Sequence, residues 1–156
     1  MTDRKKVAVL GSTGSVGRQS LDVIRQFPDR WEVVGLAAGH NHALLAEQVR
    51  EFRPERVSWE AVASPALDDA VAASGSQRAD SVEIALACDI PMIGTAGAAG
   101  LLPTLAALKA GKSVAIANKE VLVMAGHLVR HAMVEGRGDL RPVDSEHSAI
   151  WQCLWG

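Results

Sequence analysis

Apolar positions along the chain fall into short continuous runs separated by longer segments of helical period. This alternation specifies a doubly wound α/β domain, a mostly parallel sheet with helices on both faces. Val7-Ala8-Val9-Leu10 is apolar at every position, as a strand buried on both sides must be, and it runs into a glycine-rich turn. Val16, Leu21, Ile24 and Phe27 then recur at helical spacing until Pro28 stops the segment. Trp31–Ala37 gives a second strand. Asn41 is placed to cap a helix carrying Leu44, Leu45, Gln48, Val49 and Phe52, which Pro54 ends. Val57–Trp59 makes a short third strand, and Pro65–Cys88 is alanine-rich and reads as two helical pieces broken at Ser74-Gly75-Ser76. Further on, strands are expected at Met92–Ala96, Ser113–Ala117 and Leu140–Val143, with helices at Leu101–Ala110, Val121–Val134 and from Ala149 onward.

At 156 residues, 48% hydrophobic and 22% charged, the chain fits one globular domain, short for an enzyme that must also enclose a substrate. A net charge of −2 with scattered Lys and Arg provides no basic face for nucleic acid. The apolar run that begins at Val7 leaves no room for an export signal. The weakly polar stretch Ile90–Leu108 is interrupted by Pro91 and Pro103, so it makes no membrane span. Cys88 and Cys153 lack disulfide-framework or metal-ligand spacing and read as reduced thiols of a soluble, cytoplasmic protein.

Gly11-Ser12-Thr13-Gly14-Ser15-Val16-Gly17 lies between a buried strand and an amphipathic helix, where a dinucleotide pyrophosphate meets free helix amides. Its spacing is G-x-x-G-x-x-G, and Thr13 and Ser15 add hydroxyl donors. An acidic residue at the end of the second strand would hydrogen-bond the ribose 2′-hydroxyl of NAD. That place reads Ala37-Ala38-Gly39-His40-Asn41, which favours NADP, with His40 either a weak cation for the 2′-phosphate or a solvated loop histidine.

Asn118-Lys119-Glu120 leaves the apolar run of a strand together. Asn118 can offer an amide to nicotinamide or ribose, Lys119 a cation to developing oxyanion charge, and Glu120 can orient either; a plain helix cap would explain Asn118 and Glu120 but not Lys119. In Val143-Asp144-Ser145-Glu146-His147, Asp144 and Glu146 alternate across Ser145. In an extended segment both carboxylates point to one side and can share a hard divalent cation; capping a helix is the alternative. Two carboxylates leave such a cation's coordination incomplete. His147 is open between supporting that site and a capping role.

GSTGSVG, AGHN, AGAAGLLPTLAALKAGK followed by ANKE, and PVDSEHSAIWQCL, in that order, resemble the 1-deoxy-D-xylulose 5-phosphate reductoisomerase family from Val7 onward, most weakly between Pro54 and Ala96. The resemblance implies NADPH, Mg²⁺ or Mn²⁺, and a sugar-phosphate substrate rearranged and reduced for isoprenoid precursor synthesis. It implies that Gly11, Thr13, Gly14, Ser15, Val16, Gly39, His40, Asn41, Asn118 and Glu120 line the cofactor site. Lys119, Ser145 and Glu146 then contact substrate, Lys119 and Glu146 are catalytic, and Asp144 and Glu146 hold metal. It further implies a nucleotide-binding domain over residues 1–143, the start of a catalytic domain over 144–156 that stops short, a full-length homodimer, and an isolated chain that does not turn over. Two rivals stand beside it. A semialdehyde-type dehydrogenase shares the glycine spacing but needs a nucleophilic cysteine, which Cys88 and Cys153 are poorly placed to be. A nucleotide-sensing module without catalysis needs a partner surface.

Overall fold

The structure is a computed structural model and describes residues 4–155. Its strands are β1 (Lys5–Leu10), β2 (Trp31–Ala37), β3 (Arg56–Ser58), β4 (Gln77–Arg78), β5 (Ile90–Ile93), β6 (Ser113–Ile116) and β7 (Asp139–Pro142). The helices are α1 (Ser15–Gln26), α2 (His42–Phe52), α3 (Pro65–Ser74), α4 (Ser81–Leu86), α5 (Leu101–Lys109), α6 (Lys119–Gly136) and α7 (Ser145–Cys153), with a 3-10 turn at Gly97–Gly100 before α5. The strands form one sheet in the order β4-β3-β2-β1-β5-β6-β7, and every neighbouring pair is parallel.

Side-chain alternation along β1 divides the core in two. Val7 and Val9 join Leu21, Ile24, Leu36, Leu45, Val49, Val57 and Leu67 on the face covered by α1, α2 and α3. Ala8 and Leu10 join Val34, Ile84, Leu108, Val114, Ile116, Val121 and Val129 under α4, α5 and α6. This is the doubly wound arrangement expected from the continuous apolar runs. After β1 the chain builds outward through β2, β3 and β4, then returns to place β5 against the other side of β1, pairing Val7 with Ile90 and Leu10 with Ile93. A crevice therefore opens at the carboxyl ends of β1 and β5, the point where the winding reverses.

Four local expectations differ from the structure. The region after Gly75 holds a two-residue edge strand, β4, that its polar Gln77-Arg78 gave no apolar signal for. Strand β5 begins at Ile90 and stops at Ile93, because Gly94-Thr95-Ala96 turns away to line the crevice. Helix α6 starts two residues early, at Lys119, and carries a kink at Ala125 (φ −143°). Helix α7 starts at Ser145 rather than Ala149, because Asp144 caps it. Asn41 caps α2 as its residue type requires, accepting from Leu44 N at 3.2 Å.

Candidate functional site

The glycine turn is shaped by contacts no side chain would allow. Gly11 has φ +85°, and a Cβ there would stand 2.5 Å from Gly94 O. At Gly17 a Cβ would stand 2.2 Å from Gly11 O, so α1 can begin only by pressing its first turn onto the loop. The N-cap Gly14 has no side chain, and nothing else caps the helix, so the leading amides of α1 face outward as free donors. Ser12 is buried within the turn. Its carbonyl accepts from Gln48 Nε2 at 2.9 Å, whereas its hydroxyl and Gln48 Oε1 have no partner.

Beside this turn lies a cleft of about 430 Å³ lined by Gly11, Gly14, Gly39, Trp59, Glu60 and Thr95 among others. It is large enough for a nucleoside and its lining includes Gly11, Gly14, Gly39 and Gly94, so the residues present fit a dinucleotide. His40 stands at its rim with Nε2 3.1 Å from Glu60 Oε2. The Glu60 carbonyl in turn contacts His42 Nε2 at 2.9 Å.

Asn118 is 2% exposed and already engaged: Nδ2 donates to Gly97 O at 2.8 Å and Oδ1 accepts from Val121 N at 3.2 Å, capping α6. Lys119 and Glu120 follow on the first turn, exposed and without an ion pair among the described residues. Helix α6 thus carries Lys119 at its amino end while Asn118 fixes that end to the 3-10 turn.

The extended arrangement expected for Asp144-Ser145-Glu146 is not what forms. Asp144 is the N-cap of α7 and accepts from His147 N at 3.2 Å, so Ser145 and Glu146 are already helical. The polar, short side chain of Asp144 favours the cap, and Glu146 suits the positive end of the helix dipole. His147 Nδ1 lies 2.5 Å from Asp144 Oδ2. Burial would push the Asp144 carboxyl up, but the hydrogen bonds from the His147 ring and amide outweigh it and hold the carboxyl below its usual range. Ser145 Oγ donates to Glu146 Oε2 at 3.2 Å.

A second groove, of about 520 Å³, runs between α1 and the start of α7 and is lined by Val16, Gln19, Ser20, Val23, Val143, Asp144, Ser145 and Glu146. The structure therefore brings the metal candidates beside Val16 of the glycine turn. Among the described residues no three His, Cys, Asp or Glu side chains assemble to hold a metal ion. Asp144 and Glu146 fit as part of a coordination set, not as a whole one.

Residues the sequence reading passed over are Gln48, Glu60, Gly94 and Thr95. Gln48 looked like one more polar position of an amphipathic helix. Glu60 follows a three-residue strand, whose pattern carries little signal, and Gly94 lies inside the strand expected at Met92–Ala96. A glycine directly after a buried strand was the available signal for the last.

A family model described as 1-deoxy-D-xylulose 5-phosphate reductoisomerase matches residues 7–126. A protein of that name from Prosthecochloris aestuarii is 48% identical over 159 residues, covering 97% of this chain and 42% of the relative. Its counterpart from Pelotomaculum thermopropionicum is 46% identical over 160 residues, with 97% and 41% covered. The chain thus spans about 42% of the length of the first of these relatives. Among solved structures, the reductoisomerase from Zymomonas mobilis in complex with NADPH superposes with a TM-score of 0.88 at 41% identity, covering 98% of this chain and 42% of that one. A DOX-P reductoisomerase in complex with NADPH, fosmidomycin and magnesium gives 0.85 at 38% identity, with 96% and 38% covered. By a match that spans most of its length, and by a fold shared with these structures, this chain belongs to the 1-deoxy-D-xylulose 5-phosphate reductoisomerase family.

Proposed function

We propose that this chain binds NADPH across the carboxyl edge of its sheet and forms the nucleotide-binding part of a metal-dependent reductoisomerase. Its substrate is 1-deoxy-D-xylulose 5-phosphate and its product 2-C-methyl-D-erythritol 4-phosphate, in isoprenoid precursor synthesis. The observation that carries the reading is the uncapped start of α1, held open by the contacts of Gly11 and Gly17 and set against a nucleoside-sized cleft. Family membership and the NADPH and magnesium bound by the neighbouring structures support it.

In this reading the turn Gly11, Thr13, Gly14, Ser15 and Val16 receives the pyrophosphate on backbone amides. Gly39, His40 and Asn41 surround the adenosine, and Asn118 and Glu120 edge the nicotinamide, Asn118 chiefly through its backbone because its amide is committed to the cap. Lys119 and Glu146 are the catalytic groups: the Lys119 ammonium meets oxyanion charge on the substrate, while Ser145 and Glu146 hold its hydroxyls. Asp144 and Glu146 supply two oxygens to Mg²⁺ or Mn²⁺; His147 contacts only Oδ2 of Asp144, which leaves its Oδ1 to the metal. When bound, the cofactor supplies a hydride and the metal polarises a substrate carbonyl.

Residues 1–143 are the cofactor-binding unit and 144–156 open the catalytic unit; residues 1–3 and Gly156 lie outside the described residues. The full-length enzyme is taken as a cytoplasmic homodimer with neither nucleic acid nor membrane as partner. No helix among the described residues is long and apolar enough to cross a membrane.

Calorimetric titration of the chain with NADPH and NADH, each with and without Mn²⁺, tests the reading. NADPH is expected to bind with or without metal. Absence of binding by either nucleotide would overturn it.

A further inference from the structure

The sequence places no carboxylate at the end of β2, where the ribose of NAD finds its acceptor, but the fold brings one there from the next strand. Ala38 N donates to Ser58 O at 3.0 Å and Glu60 N to Gly39 O at 3.3 Å, so the ends of β2 and β3 are laced together. Ala61, next in the chain, has φ +61°, a left-handed conformation that residues with a Cβ rarely adopt. That bend follows Glu60 directly, at the point where its carboxylate lies 3.9 Å from where a Cβ of Gly39 would be. The same carboxylate contacts His40 Nε2 and belongs to the cleft that holds Gly11 and Gly14. Arg78, at the end of β4, makes no ion pair with Glu60 among the described residues: its guanidinium lies over the Trp59 ring and donates to Trp59 O.

We infer that Glu60 is a specificity-determining residue of the nucleotide cleft, which accepts a hydrogen bond from the 2′-hydroxyl of NADH and repels the 2′-phosphate of NADPH. The inference rests on the reading of this cleft as the dinucleotide site. Two groups then act on the adenosine ribose in opposite senses. The His40 imidazole favours the phosphate, as a donor and as a cation when protonated. The Glu60 carboxylate opposes it and keeps the imidazole partly occupied. The consequence is a cleft that prefers NADPH by a narrow margin and retains usable affinity for NADH.

The test is titration of the chain and of Glu60→Gln with NADPH and NADH, alongside His40→Ala. Glu60 is exposed, so Glu60→Gln is expected to melt like the parent. The ratio of Kd for NADH to Kd for NADPH should rise about fivefold in Glu60→Gln, the effect of one unit charge a few ångströms away in water, and fall in His40→Ala. An unchanged ratio in Glu60→Gln, with NADPH still bound, overturns the inference and leaves the dinucleotide site standing. A falling ratio overturns it too, because Glu60 would then serve only to hold His40 against the phosphate. If the parent chain binds neither nucleotide, both the inference and the reading beneath it fail.

Discussion

Gln48 on α2 donates from Nε2 to the carbonyl of Ser12 at 2.9 Å, buried, and so fastens the helix that Asn41 caps to the glycine turn between β1 and α1. Replacing it with methionine keeps the volume and leaves Ser12 O without its donor. Gln48→Met is expected to cost about 1–3 kcal/mol of stability, the penalty for an unmade buried hydrogen bond, and to weaken NADPH binding. Urea unfolding together with calorimetry checks both. Stability lost without any change in NADPH affinity would show that the bond serves the core alone.

Gly17 and Gly126 should respond in opposite ways to the same substitution. A Cβ at Gly17 meets backbone at 2.2 Å, whereas one at Gly126 meets nothing within 4 Å. Gly17→Ala is expected to lose roughly 1–3 kcal/mol from overpacking and most of its NADPH affinity. Gly126→Ala should be neutral or gain up to about 1 kcal/mol from helix propensity. Thermal melts of the two variants, run side by side, decide it.

The two thiols should separate cleanly in alkylation. Cys88 is buried, and burial pushes its thiol up from 9.0 to about 11, while Cys153 is exposed. Iodoacetamide near pH 8 is expected to label Cys153 alone, with Cys88 labelled only on unfolding; mass spectrometry reads the sites. The sign of the linked effect follows from the raised folded value. Between about 9 and 11 the unfolded chain releases a proton that the folded chain retains, so stability falls as pH rises through that window. Urea midpoints measured across it should decline, and Cys88→Ala should flatten the decline.

Asp144 and Glu146 provide two oxygens and no closed site, so Mn²⁺ alone should bind the chain only weakly, with a Kd of roughly millimolar order. Asp144→Asn and Glu146→Gln should each weaken it further. Because asparagine still caps a helix, Asp144→Asn should do so without unfolding α7. Manganese relaxation titration measures the affinity and far-ultraviolet dichroism the helix. Micromolar binding by the unmodified chain would contradict the incomplete site.

What the sequence made readable was whatever depends on local order. The run Val7–Leu10 declared a strand buried on both faces, the glycines after it declared the turn, and Asn41 and Pro54 marked the ends of α2. The four candidate loops were found because each follows an apolar run. What stayed hidden depends on neighbours distant in the chain. Gln48 became part of the turn only once α2 lay beside it, and Glu60 part of the cleft only once β3 lay beside β2. The polar edge strand Gln77-Arg78 exists because β3 offers it a partner, not because its residues favour extension. Asp144 carried an ambiguity that pattern alone left open, since the same residue type both caps helices and binds cations.

The pairing of β1 with β5 also sets the order in which the molecule can assemble. Strand β2 becomes available to β1 early, but the residues that complete the crevice, Ile90–Ile93, are made only after two further strands, β3 and β4, have been synthesised. Until then one edge of β1, and the leading amides of α1, stand beside an unfilled place in the sheet. Contacts between residues so distant in the chain form slowly, because the intervening loop must be closed first. On the ribosome this crevice should therefore close only after β2, β3 and β4 have emerged. A nucleotide that recognises it would act late, as a latch on the finished sheet and not as a guide to its formation.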